Sequence, residues 1–95
     1  MEKSKDHKKL YEAVMALESE EECRALFDDL FTIAELNAAA QRIKVADMLY
    51  HGMTCGNIAE ETGASTATVS RVNKCLHYGT GGYRIVLERM NEKEK

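Results

Sequence analysis

Residues 54–78 read TCGNIAEETGASTATVSRVNKCLHY, and this stretch decides the fold. Thr54 can accept hydrogen bonds from the free amides at the start of a short helix. Gly63 follows the small Ala59 by four residues, so a second helix can cross over the alanine after a turn that needs positive φ. Ser65 then caps this second helix. The stretch predicts a helix-turn-helix.

The second helix of this motif has one apolar face and one cationic face. Its apolar residues fall at i, i+3 and i+7, at Val69, Val72 and Leu76. The opposite face has no acidic residue and carries Ala67, Ser70, Arg71 and Lys74, with Tyr78 at its far end. Short side chains let a helix approach bases in a major groove about 12 Å wide, and Arg and Lys reach phosphates or guanine edges. We therefore predict contacts to double-stranded DNA from Thr66, Ala67, Thr68, Ser70, Arg71 and Lys74.

Composition and charge distribution agree with this prediction. A chain of 95 residues has room for one domain, residues 1–95, and the lack of proline favours an all-α fold. The net charge is −3, but residues 18–35 hold seven acidic residues and one arginine, whereas residues 63–84 hold three cations and no acid. Positive charge confined to one face can orient the protein on DNA.

The rest of the chain predicts four further helices, which makes six in all. The polar, lysine-rich residues 1–9 are expected to form a frayed start with no assigned role. Capping-box patterns precede two of the helices. The predicted helices begin at Leu10, follow Ser19 to about Phe31, follow Thr32 to Tyr50, and span roughly Tyr83 to Asn91, with a frayed end over residues 92–95.

Two of these helices require a partner for their apolar surfaces. Phe27 and Phe31 lie on the apolar stripe of the second helix, and the third helix is apolar on two flanks. A chain this short buries only about 60% of its unfolded surface. We therefore expect a homodimer.

The cysteines and the remaining polar residues exclude several classes of function. Cys23, Cys55 and Cys75 match no disulfide framework or paired metal-ligand motif, which favours a reducing cytoplasm. No membrane-spanning run or leader-like start is visible, so neither secretion nor membrane insertion is indicated. We assign no catalytic residue, cofactor or metal ligand and predict no enzyme. A metal site from Cys75, His77 and either Cys55 or His51 stays open as the weakest alternative.

The same features allow a second class of function, a protein-interaction module. The helix-turn-helix would then pack against a partner protein, and the acidic residues 18–35 would form the contact surface. Salt separates these hypotheses, because DNA binding through Arg71 and Lys74 must weaken steeply with added salt, whereas an apolar interface should not.

Residues 26–78 resemble the tryptophan repressor family, most closely its YerC/YecD-type branch. The family has a threonine where the third helix begins and an arginine ten residues later, and its helix-turn-helix ends Ala-Thr-apolar-Thr/Ser-Arg. Thr32, Arg42 and the sequence ATVSR at 67–71 match these features, and LHYGTGGY at 76–83 is similar to the branch. The resemblance implies an intertwined helical dimer that places two recognition helices in successive major grooves of a roughly palindromic operator. We therefore expect the protein to be a transcriptional repressor.

The resemblance also implies an effector pocket in which two arginines enclose an indole, and its residues would be Thr32, Arg42, Thr68 and Arg71. Where the tryptophan repressor has glycine and serine, this chain has Val72 and Cys75. An isopropyl group takes up space needed by the indole, and a thiol is a weak partner for an ammonium group. We therefore expect that tryptophan is not the effector, and the identity of any effector stays open.

Overall fold

The described part of the chain is entirely helical apart from turns, which confirms the predicted all-α class. The computed structural model describes the backbone of residues 2–94 and the side chains of residues 5–92. The six helices are α1 (Glu2–Met15), α2 (Glu20–Leu30), α3 (Ile33–Tyr50), α4 (Cys55–Thr62), α5 (Thr66–Tyr78) and α6 (Gly82–Glu94). No helix among the described residues is long and apolar enough to cross a membrane. Contacts divide the chain into two compact units, Met1–Leu36 and Asn37–Lys95. The single domain stays a prediction.

Both outer helices are longer than predicted. The expected frayed start is wrong for residues 2–9, which form the first part of α1, while Met1 lies outside the described residues. Lys and Glu have high intrinsic helix propensity, and no Gly or Pro interrupts this stretch. α6 likewise continues to Glu94 instead of fraying after Asn91, while Lys95 lies outside the described residues. Charged residues at a chain end therefore did not mark the end of a helix.

The first unit is held by local caps and an apolar cluster. The Ser19 hydroxyl accepts from the Glu22 amide at 3.1 Å, as predicted, although the Glu22 carboxylate accepts from the Glu18 amide instead of that of Ser19. An open apolar cavity of about 300 Å³ lies between α1 and α2 and is lined by Leu10, Tyr11, Val14, Met15, Phe27, Leu30 and Phe31. No residue of α2 is fully buried. The apolar stripe of α2 is therefore only partly covered within this unit.

The second unit has a continuous core around the helix-turn-helix. Its buried residues come from α3, α4, the following turn, α5 and α6, and they are Val45, Ala46, Ile58, Ala64, Val69, Val72, Leu76 and Leu87. The predicted apolar face of α5 is the face that packs into this core. Among the described residues, no polar or charged side chain is buried there. One side of α5 is therefore fixed by the core, which leaves the other side free for contacts.

Candidate nucleic-acid interface

Local hydrogen bonds set where the two helices of the motif begin and how they turn. Thr54 Oγ1 accepts from the Asn57 amide at 3.3 Å and caps α4, and Ser65 Oγ accepts from the Thr68 amide at 3.1 Å and caps α5. Gly63 ends α4 with φ of 72°. A Cβ at Gly63 would meet no atom within 4 Å, so the glycine is needed for its backbone conformation and not for space.

We define the reading face as the exposed residues Ala67, Ser70, Arg71 and Lys74 of α5. Thr66, at the first turn of α5, is exposed as well. Thr68 differs from the other predicted DNA contacts because it is half-buried, and its Oγ1 accepts a hydrogen bond from Ser65 Oγ at 3.0 Å. The structure therefore presents five of the six predicted side chains to solvent and uses the sixth within the helix cap.

The cations of the reading face are available to a ligand. Within the part of the chain that the structure describes, the salt bridges are Arg24–Glu20 and a His51–Asp47 contact, so Arg71 and Lys74 have no ion-pair partner. The third cation of residues 63–84 has a different place. Arg84 Nε donates to the Leu76 carbonyl at 3.1 Å, near the C-terminal end of α5, where a positive charge stabilises the helix dipole. The reading face therefore carries two cations per chain.

The exposed surface of α5 continues past the residues that the sequence predicted. A shallow cavity of about 370 Å³ is lined by Ser70, Asn73, Lys74, His77 and Tyr78. The side chain of Tyr78 is 85% exposed. Asn73 and His77 were missed as members of this surface, although helical spacing from Ser70 places them near it.

The predicted effector residues are spread over both units. Thr32 belongs to the first unit, where its Oγ1 accepts from the Glu35 amide at 3.1 Å and its own amide donates to Glu35 Oε1 at 2.9 Å. These two hydrogen bonds confirm the predicted capping box. The Thr32 side chain is therefore already used in capping α3.

The other predicted effector residues belong to the second unit. Arg42, Arg71 and Cys75 are exposed, whereas Val72 is 2% exposed and lies in the core. Cys75 lines an apolar cavity of about 500 Å³ together with Ile43, Gly79, Thr80, Gly82 and Tyr83. It also lines a cavity of about 280 Å³ with Arg71, Lys74, Tyr78 and Gly79. Val72 lines neither of these two cavities.

Among the residues with described positions, no three side chains of His, Cys, Asp or Glu come together in a group that could hold a metal ion. The three cysteines are free thiols, half-buried at Cys23 and exposed at Cys55 and Cys75.

Comparisons with known proteins cover nearly the whole chain. The family model described as Trp repressor protein matches residues 5–91. The chain is 47% identical to the uncharacterized protein YerC of Bacillus subtilis (strain 168) over 92 residues, which are 97% of this chain and 88% of that protein. It is similar to the crystal structure of a candidate Trp repressor from Staphylococcus aureus, with TM-score 0.86, 44% identity and coverage of 90% and 86% of the two chains. A TrpR-like protein from Eubacterium eligens ATCC 27750 matches with TM-score 0.83, 45% identity and coverage of 88% and 87%.

Proposed function

Because the chain belongs to the Trp repressor family, whose members are helix-turn-helix DNA-binding regulators, we propose that it is a homodimeric transcriptional repressor acting on a roughly palindromic operator. The observation that carries the proposal is the two-sided character of α5. Val69, Val72 and Leu76 fix one side in the core, and the reading face is exposed, cationic and free of acidic residues. This is the arrangement that a major groove accepts.

The roles of individual residues follow from side-chain size and charge. Ala67 and Ser70 are short enough to let the helix backbone approach base edges, so they would affect which sequence is preferred. Arg71 and Lys74 would neutralise phosphates and supply affinity for any duplex. Thr66 lies at the N-terminal end of α5, where helix amides favour a phosphate.

Exposed apolar surface supports the homodimer. Ile33 is 79% exposed and Leu30 is 45% exposed in the first unit, while Ile85, Val86 and Met90 are exposed on α6 in the second unit. Exposed apolar side chains favour association, because their removal from water is favourable. A second copy of the chain would cover these residues. The two recognition helices of the dimer would then lie about 34 Å apart, which is one turn of DNA.

Regulation by tryptophan is not part of the proposal. Val72 fills its own place in the core, and the Thr32 hydroxyl caps α3. Both features argue against an indole pocket at the positions that the resemblance implies, and we propose that the protein binds its operator without tryptophan. The three free cysteines favour a reducing, cytoplasmic location, and we propose no enzyme activity.

Duplex binding at increasing salt tests the proposal. Fluorescence anisotropy would follow the wild-type protein on a duplex selected from a random library and on an unselected duplex. Arg71→Ala or Lys74→Ala should weaken binding to both duplexes, and the slope of log K against log salt should become shallower by about 0.9 for each cation removed, or about 1.8 for a dimer. Ala67→Glu should abolish preference for the selected duplex, because a carboxylate would face the groove.

A matched control removes a cation that lies elsewhere. Lys44→Ala changes an exposed lysine of α3 and should leave both affinities unchanged. Salt-insensitive binding to a protein, together with no duplex binding, would favour the protein-interaction module instead. Intact operator preference in Ala67→Glu would show that the reading face is wrongly assigned.

A further inference from the structure

The exposed side of α5 changes in side-chain length along the helix. Ala67 and Ser70 are short, whereas Lys74 and Tyr78 are long. Tyr78 lies eleven residues after Ala67, so the two are about 16 Å apart along the axis and only about 20° apart around it. They therefore lie on the same side of the helix at opposite ends.

This gradient indicates how α5 would lie against a duplex. Short side chains allow close contact between helix and base edges, and long side chains need a gap between the helix and its ligand. A helix with short side chains at its N-terminal end and long ones at its C-terminal end would insert the N-terminal end into the groove and tilt away from the bases along its length. Since the groove is about 12 Å wide, a residue about 16 Å beyond Ala67 would be next to the phosphate backbone.

The chemistry of this far end fits a phosphate. Lys74 and Tyr78 both line the cavities of about 370 Å³ and about 280 Å³ on either side of them. An ammonium and a phenolic hydroxyl are both hydrogen-bond donors to phosphate oxygens. His77 Nδ1 donates to the Asn73 carbonyl at 2.9 Å, so this ring nitrogen is held against its own helix. The side chains of Lys74 and Tyr78 are both exposed.

Packing within its own chain does not account for Tyr78. Its side chain is 85% exposed, and its aromatic contact is a tilted one with His77, whose ring centroid is 6.2 Å away. We propose that Tyr78, together with Lys74, holds a backbone phosphate of duplex DNA at the edge of the groove that Ala67 and Ser70 enter. This inference rests on the proposed function and adds an interaction about two helical turns beyond Arg71 and Ser70.

Tyr78→Phe tests the proposal, because it removes the hydroxyl and keeps the ring. We expect binding to weaken about tenfold for each hydroxyl removed, equally on selected and unselected duplexes. The salt slope should not change, since the number of cations stays the same, whereas Lys74→Gln should reduce it. Tyr11→Phe is the matched control, since Tyr11 is 62% exposed on α1, and it should bind like the wild type.

Duplexes in which one phosphate of each half-site is replaced by a neutral methylphosphonate identify the phosphate that Tyr78 binds. At that phosphate, the replacement should remove most of the difference in DNA affinity between wild type and Tyr78→Phe. Unchanged affinity in Tyr78→Phe overturns the inference. A weakening confined to the selected duplex also overturns it, because the hydroxyl would then bind a base. A wild-type protein that binds no duplex overturns the proposed function itself, so the two failures are distinguishable.

Discussion

Val72→Gly tests two proposals, that Val72 stabilises the core and that the protein binds DNA without tryptophan. The side chain is 2% exposed within the core of the second unit. Removing a buried valine side chain forfeits about 1.5–3 kcal/mol of burial free energy. Glycine inside a helix costs about 1 kcal/mol more. We therefore expect the free energy of unfolding to fall by about 2.5–4 kcal/mol, before any further cost of the cavity that remains.

The measurement is urea unfolding followed by circular dichroism at one fixed protein concentration, since the stability of a dimer depends on concentration. Glu88→Gly is the control, because Glu88 is exposed on α6 and its replacement brings the helix cost of glycine without removing a buried apolar side chain. Val72→Ala should be less destabilising than Val72→Gly by about the helix cost of glycine. Equal destabilisation in Val72→Gly and Glu88→Gly would refute the place assigned to Val72.

The regulatory part of this prediction concerns L-tryptophan. The wild-type protein should bind a selected operator duplex without it, and calorimetric titration with L-tryptophan should give no binding heat. Val72→Gly should bind the duplex more weakly, because the core then orients α5 less firmly. Micromolar tryptophan binding by the wild type, together with higher DNA affinity, would refute this prediction, since ligand and DNA binding would then be coupled.

Three further predictions concern assembly, the turn and the cap of α3. Light scattering should find a dimer over the working concentration range, and a folded monomer would contradict the proposed assembly. Gly63→Ala should destabilise by about 1–2 kcal/mol because φ is 72°, whereas Gly56→Ala within α4 should stabilise by about 0.5–1 kcal/mol. Hydrogen bonds from the Thr32 amide and hydroxyl hold the pKa of Glu35 below its usual 4.5, so this cap stabilises fully above that pH and less as pH falls through the lowered pKa. The unfolding free energies of wild type and Glu35→Gln should therefore converge in acid, and a constant difference would contradict the assignment.

Much of the helix-turn-helix could be predicted because its determinants are local. The caps at Thr54 and Ser65 each join residues three apart, and the turn at Gly63 depends on one backbone angle. The apolar face of α5 follows from the spacing of its apolar residues and the 3.6-residue period of a helix. The start of α1 could not be predicted in the same way, since lysine-rich sequence fits both a solvated tail and a helix with a polar face.

The exposure of the reading face could be predicted for a related reason, while its role in DNA binding stays a prediction. Helical spacing placed Ala67, Ser70, Arg71 and Lys74 on one exposed face, and the structure agrees. Thr68 is half-buried, and its Oγ1 accepts a hydrogen bond from Ser65 Oγ in the cap, while its contact with DNA stays a prediction. Helical spacing gives the direction of a side chain from the helix axis, but it does not say whether that side chain is hydrogen-bonded to a neighbouring residue.

The sequence by itself determined the helix boundaries of the motif and the two faces of α5, because hydrogen bonds within four residues and the 3.6-residue period suffice for both. Only the tertiary structure decided that Arg84 donates to the Leu76 carbonyl and that Cys75 shares a cavity with Ile43 and Tyr83. These outcomes depend on how helices cross, and crossing is set by the combined packing of side chains from several elements, which no local pattern contains.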